Sequence, residues 1–114
     1  MSRSPITTHI LDTALGRPAA GVTLTLDRRD GAAWTRLGEG VTNDDGRVTD
    51  LLAPGSLEAG VYRIEFEVAA YFARTARESF YPSVSVEFEV RATDEHYHVP
   101  LLLNPFGYST YRGS

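Results

Sequence analysis

The segment Val84-Ser85-Val86-Glu87-Phe88-Glu89-Val90 alternates apolar and polar residues over its whole length. A period of two belongs to a strand with one face buried and the other wet. The alternation recurs in Val22-Thr23-Leu24-Thr25-Leu26 and from Val61 to Val68, where Tyr62, Ile64, Phe66 and Val68 share a face. From Ile6 to Asp12, Ile6, Thr8 and Ile10 lie on one side and Thr7, His9 and Leu11 on the other. Turn signals separate these runs: Gly16-Arg17-Pro18, the hairpin pair Asp30-Gly31, the cluster Asn43-Asp44-Asp45-Gly46, and Pro54-Gly55. Trp34 to Thr42 reads as the return strand of the hairpin, Arg47 to Leu52 as a short strand, and Tyr108 to Arg112 as the last. Only the alanine-rich stretch Ala69 to Arg77 breaks the period, placing Phe72, Ala76 and Phe80 at helical spacing ahead of Pro82. About eight short strands and one short helix predict an all-β fold, an antiparallel β-sandwich. With 114 residues, one domain spanning 1–114 is expected.

The last stretch carries the most chemistry. Two of the three histidines, His96 and His98, stand two residues apart, so on a strand they share a face. Tyr97, Val99, Leu101 and Leu103 form the opposite, apolar row, which predicts histidines pointing away from the core. There is no cysteine, which removes disulfides, thiolate zinc sites and a cysteine nucleophile. All 11 basic residues are arginine, so no lysine is available for a Schiff base. Near neutral pH, proton transfer then falls to the histidines and carboxylates.

His9, His96 and His98 admit three readings: solvated surface groups, an acid–base set, or a zinc site. No carboxylate or histidine motif completes the zinc site, and no metal or other cofactor is expected. Arg47 follows Asp45-Gly46 directly, so a tight turn would hold its guanidinium at a fixed point, as a solvated arginine or as a planar fork for an anionic, carbonyl-rich substrate. Tyr111-Arg112-Gly113-Ser114 continues the last strand; it is either a frayed end or a set piece offering the hydroxyl and α-carboxylate of Ser114 to a histidine. No Gly-x-Ser-x-Gly elbow makes Ser114 a conventional nucleophile. An imidazole on an open sheet face is poorly desolvated. A second copy packed on that face would make a cleft, which predicts an oligomer with sites between subunits.

The net charge of −4 without a basic stripe argues against nucleic acid, and no apolar run reaches the ~18 residues of a membrane helix. The opening residues show no apolar signal region, and a cytoplasmic location is expected.

The ending from His96 to Ser114, with Tyr111-Arg112-Gly113-Ser114 at its close, resembles the C-terminal signature of the transthyretin-like 5-hydroxyisourate hydrolases. Thr8-His9-Ile10-Leu11-Asp12, Asp45-Gly46-Arg47 and Phe80-Tyr81-Pro82 follow the same family's order. The resemblance implies a transthyretin-like (prealbumin-like) sandwich that assembles as a homotetramer, a dimer of dimers with sites between subunits. It also implies a cofactor-free hydrolase of purine degradation, acting on 5-hydroxyisourate and opening its six-membered ring to give 2-oxo-4-hydroxy-4-carboxy-5-ureidoimidazoline. By the same resemblance His9 and His98 act on substrate and Arg47 binds it. With Ser114 and Arg112 expected to orient the histidine and close the pocket, the expected catalytic set is His9, Arg47, His98 and Ser114, and the expected substrate-binding set is His9, Arg47, His98, Tyr111 and Arg112. His96 matches a less essential position. The rival from another class is a carrier like transthyretin, binding an aromatic ligand without chemistry; a plain structural sandwich is the third reading.

Overall fold

The computed structural model describes residues 4–114. Nine strands and one helix follow in order: β1 (Ile6–Asp12), β2 (Arg17–Pro18), β3 (Thr23–Asp30), β4 (Ala33–Val41), β5 (Arg47–Val48), β6 (Gly60–Phe66), α1 (Val68–Arg74), β7 (Val84–Val90), β8 (Tyr97–Asn104) and β9 (Gly107–Thr110). They form two sheets. One runs β2-β1-β8-β9 with β5 also on β1; the other runs β4-β3-β6-β7. All pairs are antiparallel except β1 with β8, which run parallel and bring Thr7 opposite His98 and His9 opposite Pro100.

The inner faces meet in an apolar core. Ile6 and Ile10 of β1, Leu24 and Leu26 of β3, Tyr62, Ile64 and Phe66 of β6, and Leu101 and Leu103 of β8 are fully buried there. Alternation therefore sends Thr7, His9 and His98 to the outer face of the first sheet. The expected apolar row of the histidine strand, Tyr97, Val99, Leu101 and Leu103, is buried throughout.

Several elements depart from the sequence reading. The helix is shorter than Ala69 to Arg77. It buries Val68, Tyr71 and Phe72, then ends as Thr75 and Arg77 both donate backbone N–H groups to the Phe72 carbonyl. Ala76 takes a left-handed φ of 58°, and Phe80 is 70% exposed, so neither extends the helix's buried stripe. Val68 belongs to the helix, not to β6, yet stays in the core. Arg17–Pro18 is a short strand on β1 as well as a turn. The strand expected from Arg47 to Leu52 is only Arg47–Val48, although Leu51 is buried from the following loop.

Away from the outer face, Asp12 ties the end of β1 to α1. Its buried carboxylate accepts from the Tyr71 hydroxyl and from Arg77 Nη2, each at 2.7 Å, and from the Ala14 and Leu15 backbone N–H groups.

Candidate active site

Four stretches converge on the outer face of the first sheet: β1, the turn into β5, the start of β8 and the last residues of the chain. Arg47 is set by the turn before it. The Asn43 side-chain oxygen accepts from the backbone N–H groups of Asp45 and Arg47, and Gly46 donates to the Asn43 carbonyl. Gly46 has φ +74°, and a Cβ on it would meet the Ile10 carbonyl oxygen at 2.5 Å. Only glycine lets this turn lie so close to β1. The result is a register in which Arg47 stands directly opposite His9.

His9 is half-buried. Burial, and after it the neighbouring Arg47 guanidinium, push its imidazole below the ordinary histidine value, although backbone and charge contacts at Asp45 pull the other way. The ring is thus biased toward the neutral form, which is able to take a proton.

Thr7 lies one register step from His9 on the same face. Its hydroxyl oxygen is 2.8 Å from Nδ1 of His98 and 2.9 Å from Nε2 of His96. Strand dimensions put the Cα atoms of His9 and His98 roughly 8 Å apart, two residues along and one strand over.

Residues 113 and 114 approach the same face. The ladder of β9 on β8 ends at Thr110, and beyond it Gly113 forms an isolated bridge with His98 in the same register. Its N–H donates to the His98 carbonyl at 2.8 Å. Ser114 thereby reaches a cavity of about 90 Å³ that it lines with Thr7, Arg47, Thr49, His96 and His98. Among the described residues, no group of three His, Cys, Asp or Glu side chains is placed to hold a metal ion.

Arg47, His98 and Ser114 thus share one cavity, and His9 adjoins it across from Arg47. Tyr111 and Arg112 do not line it. The same register places Arg112 across from Val99, on the inward side, where its guanidinium sits 4.3 Å over the Tyr97 ring and bonds Glu95 at 2.9 Å. Tyr111 is exposed beside a second opening, lined with Phe88, Val99 and Thr110 among others. Thr7 and Thr49 also line the cavity, and sequence reasoning missed both. The period of two already put Thr7 on the His9 face, but nothing in the sequence indicated that β8 pairs with β1.

Outward imidazoles beside an anchored arginine, carried on a two-layer β-sandwich, make a cluster able to exchange protons on a transthyretin-type scaffold. The chain belongs to the HIUase/Transthyretin family, whose profile matches residues 6–113. A 5-hydroxyisourate hydrolase of Deinococcus radiodurans is 49% identical over 119 residues, covering 100% of both chains. The structure of Klebsiella pneumoniae 5-hydroxyisourate hydrolase superposes with a TM-score of 0.82 at 44% identity, covering 96% of this chain and 98% of that one. Sea bream transthyretin in complex with thyroxine gives 0.91 at 33% identity, covering 96% and 94%.

Proposed function

We propose that this protein hydrolyses 5-hydroxyisourate in urate degradation, without a cofactor and in the cytoplasm. The observation that carries the reading is the meeting of His9, Arg47, His98 and Ser114 on one outer face, in a chain 49% identical to a 5-hydroxyisourate hydrolase. His9, biased toward the neutral imidazole, takes a proton from water. The resulting hydroxide attacks a carbonyl carbon of the six-membered ring, and Arg47 stabilises the oxyanion that forms. The carbon–nitrogen bond then breaks, and His98 delivers a proton to the leaving nitrogen. One water is consumed, and the product, 2-oxo-4-hydroxy-4-carboxy-5-ureidoimidazoline, carries a carboxyl where the ring was closed. Ser114 closes the cavity beside His98. Arg112, held by Glu95 and Tyr97, fixes the tail that presents it. Tyr111 contacts substrate from a neighbouring copy.

The working form is a homotetramer, a dimer of dimers. A cavity of about 90 Å³ is well below the ~300–1,000 Å³ of ligand pockets, so one copy encloses too little space. Strands β7 and β9 end their sheets with open edges. Phe80, Phe106, Tyr108 and Leu15 are all exposed. Packing these features against further copies deepens the cavity into a cleft.

The carrier reading draws on the likeness to the thyroxine complex of sea bream transthyretin. One assay separates the two. Purified protein is added to fresh urate oxidase product, and the 5-hydroxyisourate absorbance is followed. Accelerated decay supports the hydrolase; unchanged decay with tight binding of an iodinated aromatic supports the carrier. Light scattering on the same sample reads the mass expected of a tetramer.

A further inference from the structure

We propose that Thr7 is a positioning residue that couples the protonation of His96 to that of His98. This rests on the reading of His98 as a proton-handling group. A threonine hydroxyl has one proton to give and lone pairs to receive. At Thr7 it lies within hydrogen-bond distance of one nitrogen from each ring, 2.9 Å from His96 Nε2 and 2.8 Å from His98 Nδ1. The hydroxyl cannot donate to both rings. With both imidazoles neutral, the hydroxyl can bridge the rings in two ways, accepting from one and donating to the other. In one, His96 Nε2–H donates to Thr7 and Thr7 donates to His98 Nδ1, which leaves the His98 proton on Nε2. In the other, His98 Nδ1–H donates to Thr7 and Thr7 donates to His96 Nε2. When the hydroxyl bridges the rings in this way, the tautomer of each dictates the tautomer of the other.

The surroundings keep this link short. Thr7 is 4% exposed, although it stands on the outer face. Its strand partner is His98, and the Gly113 backbone lies against the opposite edge of that ring. The hydroxyl thus sits in a restricted space, away from competing bulk water.

The coupling supplies a proton path. When His98 Nε2 gives its proton to the leaving nitrogen, the Thr7 hydroxyl proton moves to His98 Nδ1. The Nε2 proton of His96 then moves to Thr7. His98 ends neutral, and the net proton has come from His96, which passes from imidazolium to imidazole. His96 becomes the proton store of the site, and the hydroxyl is restored.

The test uses the full chain labelled with nitrogen-15. Long-range proton–nitrogen spectra distinguish protonated from unprotonated ring nitrogens, and single His96→Asn and His98→Asn variants assign them. Above the titration of both rings, one nitrogen facing Thr7 should be protonated and the other not. Thr7→Val removes the hydroxyl at nearly constant shape. It should release the tautomers from each other and lower kcat roughly tenfold or more, with KM within about twofold. Thr7→Ser keeps the hydroxyl and should restore both the spectrum and most of kcat. Two facing nitrogens in the same protonation state, or a Thr7→Val protein with unchanged tautomers and kcat, would overturn the proposal. The spectra decide the coupling independently of turnover. A wild-type protein that fails to hydrolyse 5-hydroxyisourate therefore counts against the functional reading alone.

Discussion

Gly113 lies so close to His98 that a Cβ built on it would stand 2.6 Å from Cδ2 of the imidazole and 3.1 Å from Cγ of Pro100. Its backbone N–H, bonded to the His98 carbonyl, prevents it from backing away. The penultimate glycine of Tyr111-Arg112-Gly113-Ser114 is thus a spacer that sets the plane of the ring. Gly113→Ala should displace either the imidazole or the tail, with kcat falling about 100-fold, the cost of misplacing a reacting group by an ångström. The core lies elsewhere, so the melting temperature should move little. Normal kcat with an ordered tail would show that the ring tolerates the push.

His98→Ala should lower kcat roughly 100-fold or more while leaving the fold intact, because the side chain faces away from the core. Near-normal turnover in a variant with an unchanged circular dichroism spectrum would remove His98 from the mechanism.

At Arg47 the geometry separates charge from shape. Arg47→Lys keeps the cation opposite His9 but loses the planar fork. The expected loss in kcat/KM corresponds to about 2–4 kcal/mol of transition-state binding, as for a missing oxyanion donor. Full activity in the lysine variant would reduce the role of Arg47 to charge attraction.

The Arg47 guanidinium also leaves a mark on pH dependence. Burial first and Arg47 second hold His9 below the ordinary value of about 6.5. The acid limb of kcat/KM should therefore fall below that value, with activity rising as His9 deprotonates. Arg47→Met removes the cation, makes protonation easier, and should move the limb to higher pH. A limb that stays put, or moves down, would assign it to another group.

Asp12 gives a prediction about stability. Burial raises its carboxyl, but hydrogen bonds from Arg77, Tyr71 and the Leu15 backbone outweigh that and hold it below the usual carboxylate range. A depressed folded value contributes stability that is complete above the ordinary ~3.9 and is lost as pH falls through the lower folded value. Asp12→Asn should cost about 3 kcal/mol at neutral pH by leaving Arg77 without its partner. Its unfolding midpoint should vary less with acid below about pH 4 than that of the wild type. Parallel acid curves for the two proteins would place the sensitivity elsewhere.

Local pattern made much of this legible. The seven residues of β7 are the seven that alternate in the sequence, and the outward placement of His98 followed from the apolar row beside it. Phe80 misled because its spacing from Phe72 is helical, whereas a left-handed turn at Ala76 had already redirected the chain. The inward turn of Arg112 was hidden for a different reason. It depends on the register between β8 and β9, and sequence spacing within a strand does not specify register across strands. Thr7 as a bridge was hidden by the same limit, since it needed the parallel pairing of β1 with β8.

That parallel pairing also orders events during synthesis. Thr7 and His98 are 91 residues apart, and β1 sits inside its sheet, between β2 and β5 on one side and β8 on the other. At the usual 5–20 residues per second, β1 emerges about 5–20 s before its parallel partner has been made. For that interval Ile6 and Ile10 have no finished core to enter, while the hairpin of β3 and β4 and its neighbour β6 can already pair. The second sheet is thus the natural template on the ribosome, and the histidine-bearing sheet is the last to close.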